Sequence, residues 1–273
     1  MRLDLRLAMN SVSDVVQNRP QPLREFDQIY MKAGDLVVHA EFLARKLDGL
    51  NVAFVGDGDA VALAMVHLRG SEVIDYGPSA VTVFDFDERL VKSINKFARE
   101  YSYDHFVNAH LYNVIDALPA NEVGRFDAFH TNPPWGQYNG GESAAIFLER
   151  GAQLIHGGGH GIVVIADDSD RPWAERVLSY CQKVALENEL LVAEMIPALH
   201  SYHLDDAPDL RSCTMIFRSF GPTRTGTQRL EDSRLLNFYG RSGSPRVHYV
   251  RDVPRVGPGT ADPKTYFFET LES

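Results

Sequence analysis

Four short apolar segments constrain the fold more than any other feature. Asn51–Val55, Ala80–Asp85, Phe126–Thr131 and residues 161–166 are rich in Val, Phe, Ile and Ala, and each ends in turn residues. Runs of this kind are strands buried on both faces, as in parallel sheets covered by helices. Helical patterns separate them. Residues 60–68 are apolar on nearly every face, whereas 88–101 are amphipathic, with Leu90, Ile94 and Phe97 on one side. Residues 143–155 and 172–188 also read as helices, and 105–110 as a further strand. Strand and helix in alternation predict a doubly wound α/β sheet. After residue 188 the pattern changes: 190–197 and 213–217 read as strands joined by a polar loop, an antiparallel pair closing the sheet.

The flanks differ from this core. Residues 1–46 predict a helical N-terminal cap, with the apolar-rich stretch 36–47 and the Pro-interrupted Arg19-Pro20-Gln21-Pro22. Residues 47–220 form the expected catalytic domain. Residues 221–273 hold 11 Gly or Pro in 53 and predict a loop-rich extension with a strand-like piece at 246–250. Apolar residues, 44% of the 273, suffice for a core of this size, and no apolar run is long enough to span a bilayer. The N-terminus lacks the pattern of a secretory signal. Cys181 and Cys213 belong to no CxxC pair, and two buried, reduced thiols in a cytoplasmic protein are expected.

Charge narrows the partner class. The net charge is −10, and residues 1–220 carry 19 Lys+Arg against 31 Asp+Glu. A field of that sign disfavours nucleic acid and favours a small or cationic amine. No membrane partner is expected, and a homo-oligomer is left open.

Two turns point to a nucleoside ligand. The first strand runs into Gly56-Asp57-Gly58-Asp59-Ala60. Glycines between a strand and a helix let the backbone approach a ligand, and the helix start offers free N–H groups. The second strand ends at Asp85-Phe86, where an acid binds a ribose diol in such sheets, and Asp87 is placed to cap the following helix. Asp57 and Asp59 would repel a pyrophosphate and welcome an ammonium, so S-adenosylmethionine fits better than a dinucleotide.

The reaction centre is expected at Asn132-Pro133-Pro134-Trp135, after the strand at 126–131. The prolines fix the loop and remove two N–H groups, leaving Asn132 to accept hydrogen bonds from a substrate nitrogen. Trp135 offers a flat wall or a cation–π face. Catalysis of this kind rests on positioning the nitrogen in line with the carbon on sulfur. Tyr138 and Glu142, in the loop that follows, and Tyr202 and His203, near the closing strands, are candidate substrate-binding residues. The run His200-x-x-His203-x-Asp205-Asp206 reads as a polar loop, and no metal is expected.

The Asn-Pro-Pro-Trp tetrapeptide resembles the motif of amino and amide N-methyltransferases. A wider resemblance, over about residues 19–165, is to the branched-chain polyamine synthase family. It is carried by Arg19-Pro20-x-Pro22, Phe26-Asp27-Gln28, Val55-Gly56-Asp57-Gly58-Asp59, Asp85 through Leu90, Tyr112 through Pro119, and Phe126-Asp127. The resemblance implies a Rossmann-like class I methyltransferase fold and transfer of aminopropyl groups from decarboxylated S-adenosylmethionine to a polyamine nitrogen. It makes Asn113 an adenine contact, although the family tends to have Asp there. Two further departures stand out. Gly58 interrupts the family's Gly-Asp-Asp-Asp run, and Asn132 replaces the Asp of its Asp-Pro-Pro. The family's N-terminal winged-helix domain is expected to be missing or much shortened. On Gly58 and Asn132, the expectation is S-adenosylmethionine-dependent N-methyl transfer to an amine, amide or nucleobase nitrogen. Aminopropyl transfer is the alternative, and a nucleoside- or partner-binding module without catalysis the third reading.

Overall fold

A computed structural model of the chain describes residues 3–204, 207–225, 227–241, 243, 246–253 and 266–271. Seven strands form one sheet in the order β3-β2-β1-β4-β5-β7-β6. They are β1 (Asn51–Val55), β2 (Ala80–Asp85), β3 (Val107–Leu111), β4 (Phe126–Thr131), β5 (Ile155–Ala166), β6 (Leu190–Ser201) and β7 (Arg211–Ser219). The first five run parallel, and β7 pairs antiparallel with both β5 and β6. The expected doubly wound sheet with an antiparallel closing pair is present.

Alternate residues of each strand feed two apolar layers. Val52, Phe54, Val81 and Val83 face α1 (Leu5–Asn18), α2 (Ala33–Lys46), α3 (Val61–Gly70) and α4 (Glu88–Glu100). Ala53, Val55, Val163 and Ile165 face α5 (Glu142–Leu154) and α6 (Pro172–Glu187). α3 is buried along almost its whole length because α1 and α2 cover the side turned away from the sheet. That is why its sequence is apolar on nearly every face.

Three elements differ from the expectation. The fifth strand starts at Ile155, not 161. Ile155 pairs with Phe126 and His160 with Ala128, so the Gly-rich stretch between them is a bulge within the strand. A Cβ at Gly159 would lie 2.8 Å from the Asp127 carbonyl oxygen, which explains a glycine there. β6 and β7 are longer than their apolar runs and draw His200, Ser201 and Ser212 into the sheet. Asp205 and Asp206 lie outside the described residues.

The C-terminal segment packs on the core. Its strands β8 (Val247–Asp252) and β9 (Tyr266–Thr270) form a hairpin anchored by the Val250 N–H, which donates to the Phe86 carbonyl at 3.1 Å. Phe238 and Tyr239 are buried in the layer that holds α5. No described helix is long and apolar enough to cross a membrane.

Candidate active site

The strand order reverses between β1 and β4, and an open α/β sheet binds its ligand outside the strand ends at such a point. A cavity of about 430 Å³ lies there. At the end of β1, Gly56 holds φ +69°, and a Cβ on it would meet the Phe147 ring at 2.9 Å. The glycine is therefore required by conformation and by space. Asp57 turns inward and accepts from the Val61 and Ala62 N–H groups at 2.8 and 3.0 Å, capping α3. That capping frees Asp59 for the cavity.

Asp59 is the most connected acid of the site. Its carboxylate accepts from the Met31 N–H at 2.7 Å, Arg19 Nη1 at 3.4 Å and Asn132 Nδ2 at 3.1 Å. Burial pushes its pKa up to about 6, against the opposing pull of Arg19. Arg19 stacks over Tyr30, 4.3 Å from the ring centre, and Tyr30 donates to the Pro20 carbonyl at 2.9 Å. The segment before α2 thus closes one side of the cavity. Asn132 is oriented by its bond to Asp59, which fixes its Nδ2 on that side.

The other end of the cavity suits a nucleoside. Asp85 accepts from the Asp57 and Asp87 N–H groups at 2.9 and 2.8 Å, and burial raises its pKa to about 7. Each oxygen keeps a lone pair for a diol. Phe86 stacks against Tyr239 with ring centres 5.4 Å apart, and both line the cavity with Tyr112 and Asn113. Asp87 caps α4 and pairs with Arg89, as expected from its position. Asn113 departs from its expected role. Its Nδ2 donates to the His248 carbonyl at 2.6 Å and its Oδ1 accepts from the Ile115 N–H at 3.2 Å. The side chain ties the C-terminal hairpin to the loop after β3, so its amide is occupied by the protein.

Gly58, Pro133, Pro134, Trp135, Tyr138 and Tyr202 also line the cavity. Trp135 meets Tyr202 edge to face at 5.2 Å. Behind Tyr202 runs a buried polar chain. His130, His39 and His200 are linked at 3.0 and 2.9 Å, and His200 reaches Ser212 Oγ at 3.1 Å. Ser212 Oγ lies 2.9 Å from the Tyr202 hydroxyl. Burial lowers the pKa of all three imidazoles, to about 3 for His130 and about 4 for His200, so they are neutral.

Two expected substrate contacts fall outside the cavity lining. Glu142 bonds to Tyr180 at 2.7 Å and to Arg234. His203 is exposed, and its carbonyl accepts from Arg24 at 3.2 Å. Arg19, Tyr30, Asp27, Trp173 and Tyr239 are site residues not singled out from sequence. The first three sit in or beside the Arg-Pro-x-Pro and Phe-Asp-Gln pieces, which marked them. Tyr239 comes from the loop-rich tail, where no pattern distinguishes it.

The description "branched-chain polyamine synthase A C-terminal domain" belongs to the family model that matches residues 8–258. The chain is 28% identical over 153 residues to an N(4)-bis(aminopropyl)spermidine synthase of Thermococcus kodakarensis, which is 55% of this chain and 40% of that protein. The match thus spans well under half of that relative's length. The branched-chain polyamine synthase of Thermus thermophilus, solved with N4-aminopropylspermidine and 5'-methylthioadenosine, superposes with a TM-score of 0.69 at 21% identity, covering 84% of this chain and 68% of that one. A putative RNA methyltransferase of Pyrococcus horikoshii superposes at 0.57 and 13% identity over 77% of this chain and 98% of its own. These two structures share the class I methyltransferase-like fold with the chain.

Proposed function

The chain belongs to the branched-chain polyamine synthase A C-terminal domain family, and from that premise we propose that its cavity transfers an aminopropyl group from decarboxylated S-adenosylmethionine to a polyamine nitrogen. The expected N-methyl transfer is corrected by the family match and by the relative named for an aminopropyl product. A neighbouring acid supports the carboxylate role that Asn132 cannot fill. Asp59 stands 3.1 Å from Asn132 and supplies a carboxylate at that place.

The observation that carries the proposal is the charge of the cavity wall. Among the described residues, Asp27, Asp57, Asp59 and Asp85 line it with Arg24 and Arg171, and Arg19 pairs with Asp59 at its edge. Arg171 is itself held by Asp168 and Asp209. An amino-acid tail brings a carboxylate into this field, whereas a decarboxylated tail brings only an ammonium, which the field favours. The same field suits a linear polyamine.

Bound at the Asp85 end, the donor supplies an electrophilic carbon on its sulfonium. The acceptor ammonium loses a proton to Asp59, whose pKa of about 6 lets it hold one. The freed nitrogen attacks the carbon, the N–C bond forms, and the C–S bond breaks with its electron pair left on a neutral thioether. Asn132 and Trp135 position that nitrogen. The two free, buried cysteines support a cytoplasmic location.

Calorimetric titration with S-adenosylmethionine, its decarboxylated form and 5'-methylthioadenosine tests the donor. Tighter binding of the decarboxylated form is expected. Tighter binding of S-adenosylmethionine, or binding of none of the three, overturns the proposal.

A further inference from the structure

The three buried histidines His130, His39 and His200 have only two proton arrangements that keep each of them neutral. Each link needs one hydrogen, and a neutral imidazole carries a hydrogen on one nitrogen only. Fixing one histidine therefore fixes them all. The far end selects the direction. His130 Nδ1 is buried and has no hydrogen-bond partner among the described residues. A bare acceptor tolerates that position better than a stranded N–H donor. His130 then carries its hydrogen on Nε2 and donates to His39 Nε2. His39 donates through Nδ1 to His200 Nε2, and His200 through Nδ1 to Ser212 Oγ. Ser212 is fully buried, and its remaining partner for the hydroxyl hydrogen is the Tyr202 oxygen.

We propose that these three histidines and Ser212 form a one-directional hydrogen-bond relay that donates to the Tyr202 oxygen and so presents the Tyr202 hydroxyl hydrogen to the cavity that this side chain lines. Burial holds the Tyr202 pKa high, and Ser212 and Asn132 both pull against it, as donors to the phenolic oxygen do. Asn132 Nδ2 gives one hydrogen to Asp59 and keeps a second for the Tyr202 side. The relay joins α2, β4, β6 and β7, and His130 lies two residues before Asn132 on the strand that leads into the reaction loop. His39, His130, His200 and Ser212 are positioning residues, and Tyr202 is the contact through which they act. As a role in catalysis this rests on the transfer reaction proposed above, while the direction of the relay does not.

Long-range ¹H–¹⁵N correlation spectra of the unliganded protein at neutral pH read the tautomers directly. The expected pattern is hydrogen on Nε2 of His130 and on Nδ1 of His39 and His200. The reverse pattern, or protonation of any of the three at both nitrogens, overturns the proposal even if no transfer activity is found. Function is then read in His200→Asn, whose amide N–H₂ can still donate to Ser212, and in His200→Leu, which cannot. Affinity for 5'-methylthioadenosine should stay within about threefold in both. Aminopropyl turnover should fall by about tenfold or more in His200→Leu and recover most of that loss in His200→Asn. Equal turnover in the two folded variants overturns the positioning role. Loss of 5'-methylthioadenosine binding by the parent protein instead indicts the assigned reaction, leaving the tautomer result standing.

Discussion

Asp59 shows how a single residue was half legible. Its sequence position placed it in a ligand-binding turn, yet nothing in the sequence said that Asp57 would take the helix amides and leave Asp59 to the cavity. That division depends on Ala60, which sits at φ +54° and rotates the turn. The consequence is testable by pH. Asp59 has its folded pKa raised from 3.8 to about 6, so the unliganded native state holds a proton that the unfolded state has lost. Its stabilising contribution is therefore present below about pH 4 and is lost as pH rises through 6. A bound ammonium offsets the buried charge and reverses that loss. Spermidine should bind about tenfold more weakly at pH 5 than at pH 7.5, where Asp59 is ionised, and should raise the melting temperature more at the higher pH. The three buried histidines stay neutral across this range, and Asp85, raised to about 7, is separated from Asp59 by repeating the titration in Asp59→Asn, where the pH dependence should shrink. Equal affinity at the two pH values would remove Asp59 from the amine site.

Secondary-structure elements were legible where both strand faces are buried and poorly so elsewhere. β1, β2 and β4 match their apolar runs end to end because helices cover both sides. β6 is an edge strand, largely exposed from Leu191 to Ala198, so hydrophobicity could not mark its end. The hairpin β8–β9 was visible only as a strand-like fragment, since it is anchored by residues distant in sequence, Phe86, Glu88 and Asn113. Asn113 gives that anchor a measurable worth. Asn113→Ala removes a bond to the His248 carbonyl and one from the Ile115 N–H, both in a buried setting. A loss of about 1–3 kcal/mol in denaturant unfolding is expected. Faster proteolysis within residues 246–253 and 266–271 should accompany it. Because Asp252 also takes its backbone contact from Glu88 and Val250 from Phe86, the hairpin should loosen rather than detach. A wild-type cleavage rate would place the anchor elsewhere.

At the scale of the molecule, composition and alternation gave the sheet and its strand direction, and net charge anticipated the acidic cavity. What they could not give is how the flanks join the catalytic core, because those contacts link residues far apart in sequence. α2 buries Leu36, Val37, Ala40, Leu43 and Ala44 almost completely, and α1 buries Ala8, Val12 and Val15. The three large aliphatic side chains of α2 alone contribute about 1.5–3 kcal/mol each. Folded domains hold only about 5–15 kcal/mol in total. Removing α1 and α2 would also uncover the apolar outer side of α3 and break the His39 link of the relay. The segment before β1 is thus expected to be part of the folding unit. A chain starting at residue 47 should lack the near-ultraviolet dichroism of packed aromatics and the dispersed amide spectrum of a native fold, and should not bind 5'-methylthioadenosine. A chain starting at residue 20 keeps α2 and His39 but loses Arg19 and α1. It should keep more native signal than the shorter chain, with weakened amine binding because Asp59 loses its Arg19 partner. Cooperative unfolding of the 47–273 chain, at a stability near that of the full chain, would show instead that the N-terminal helices are an appendage.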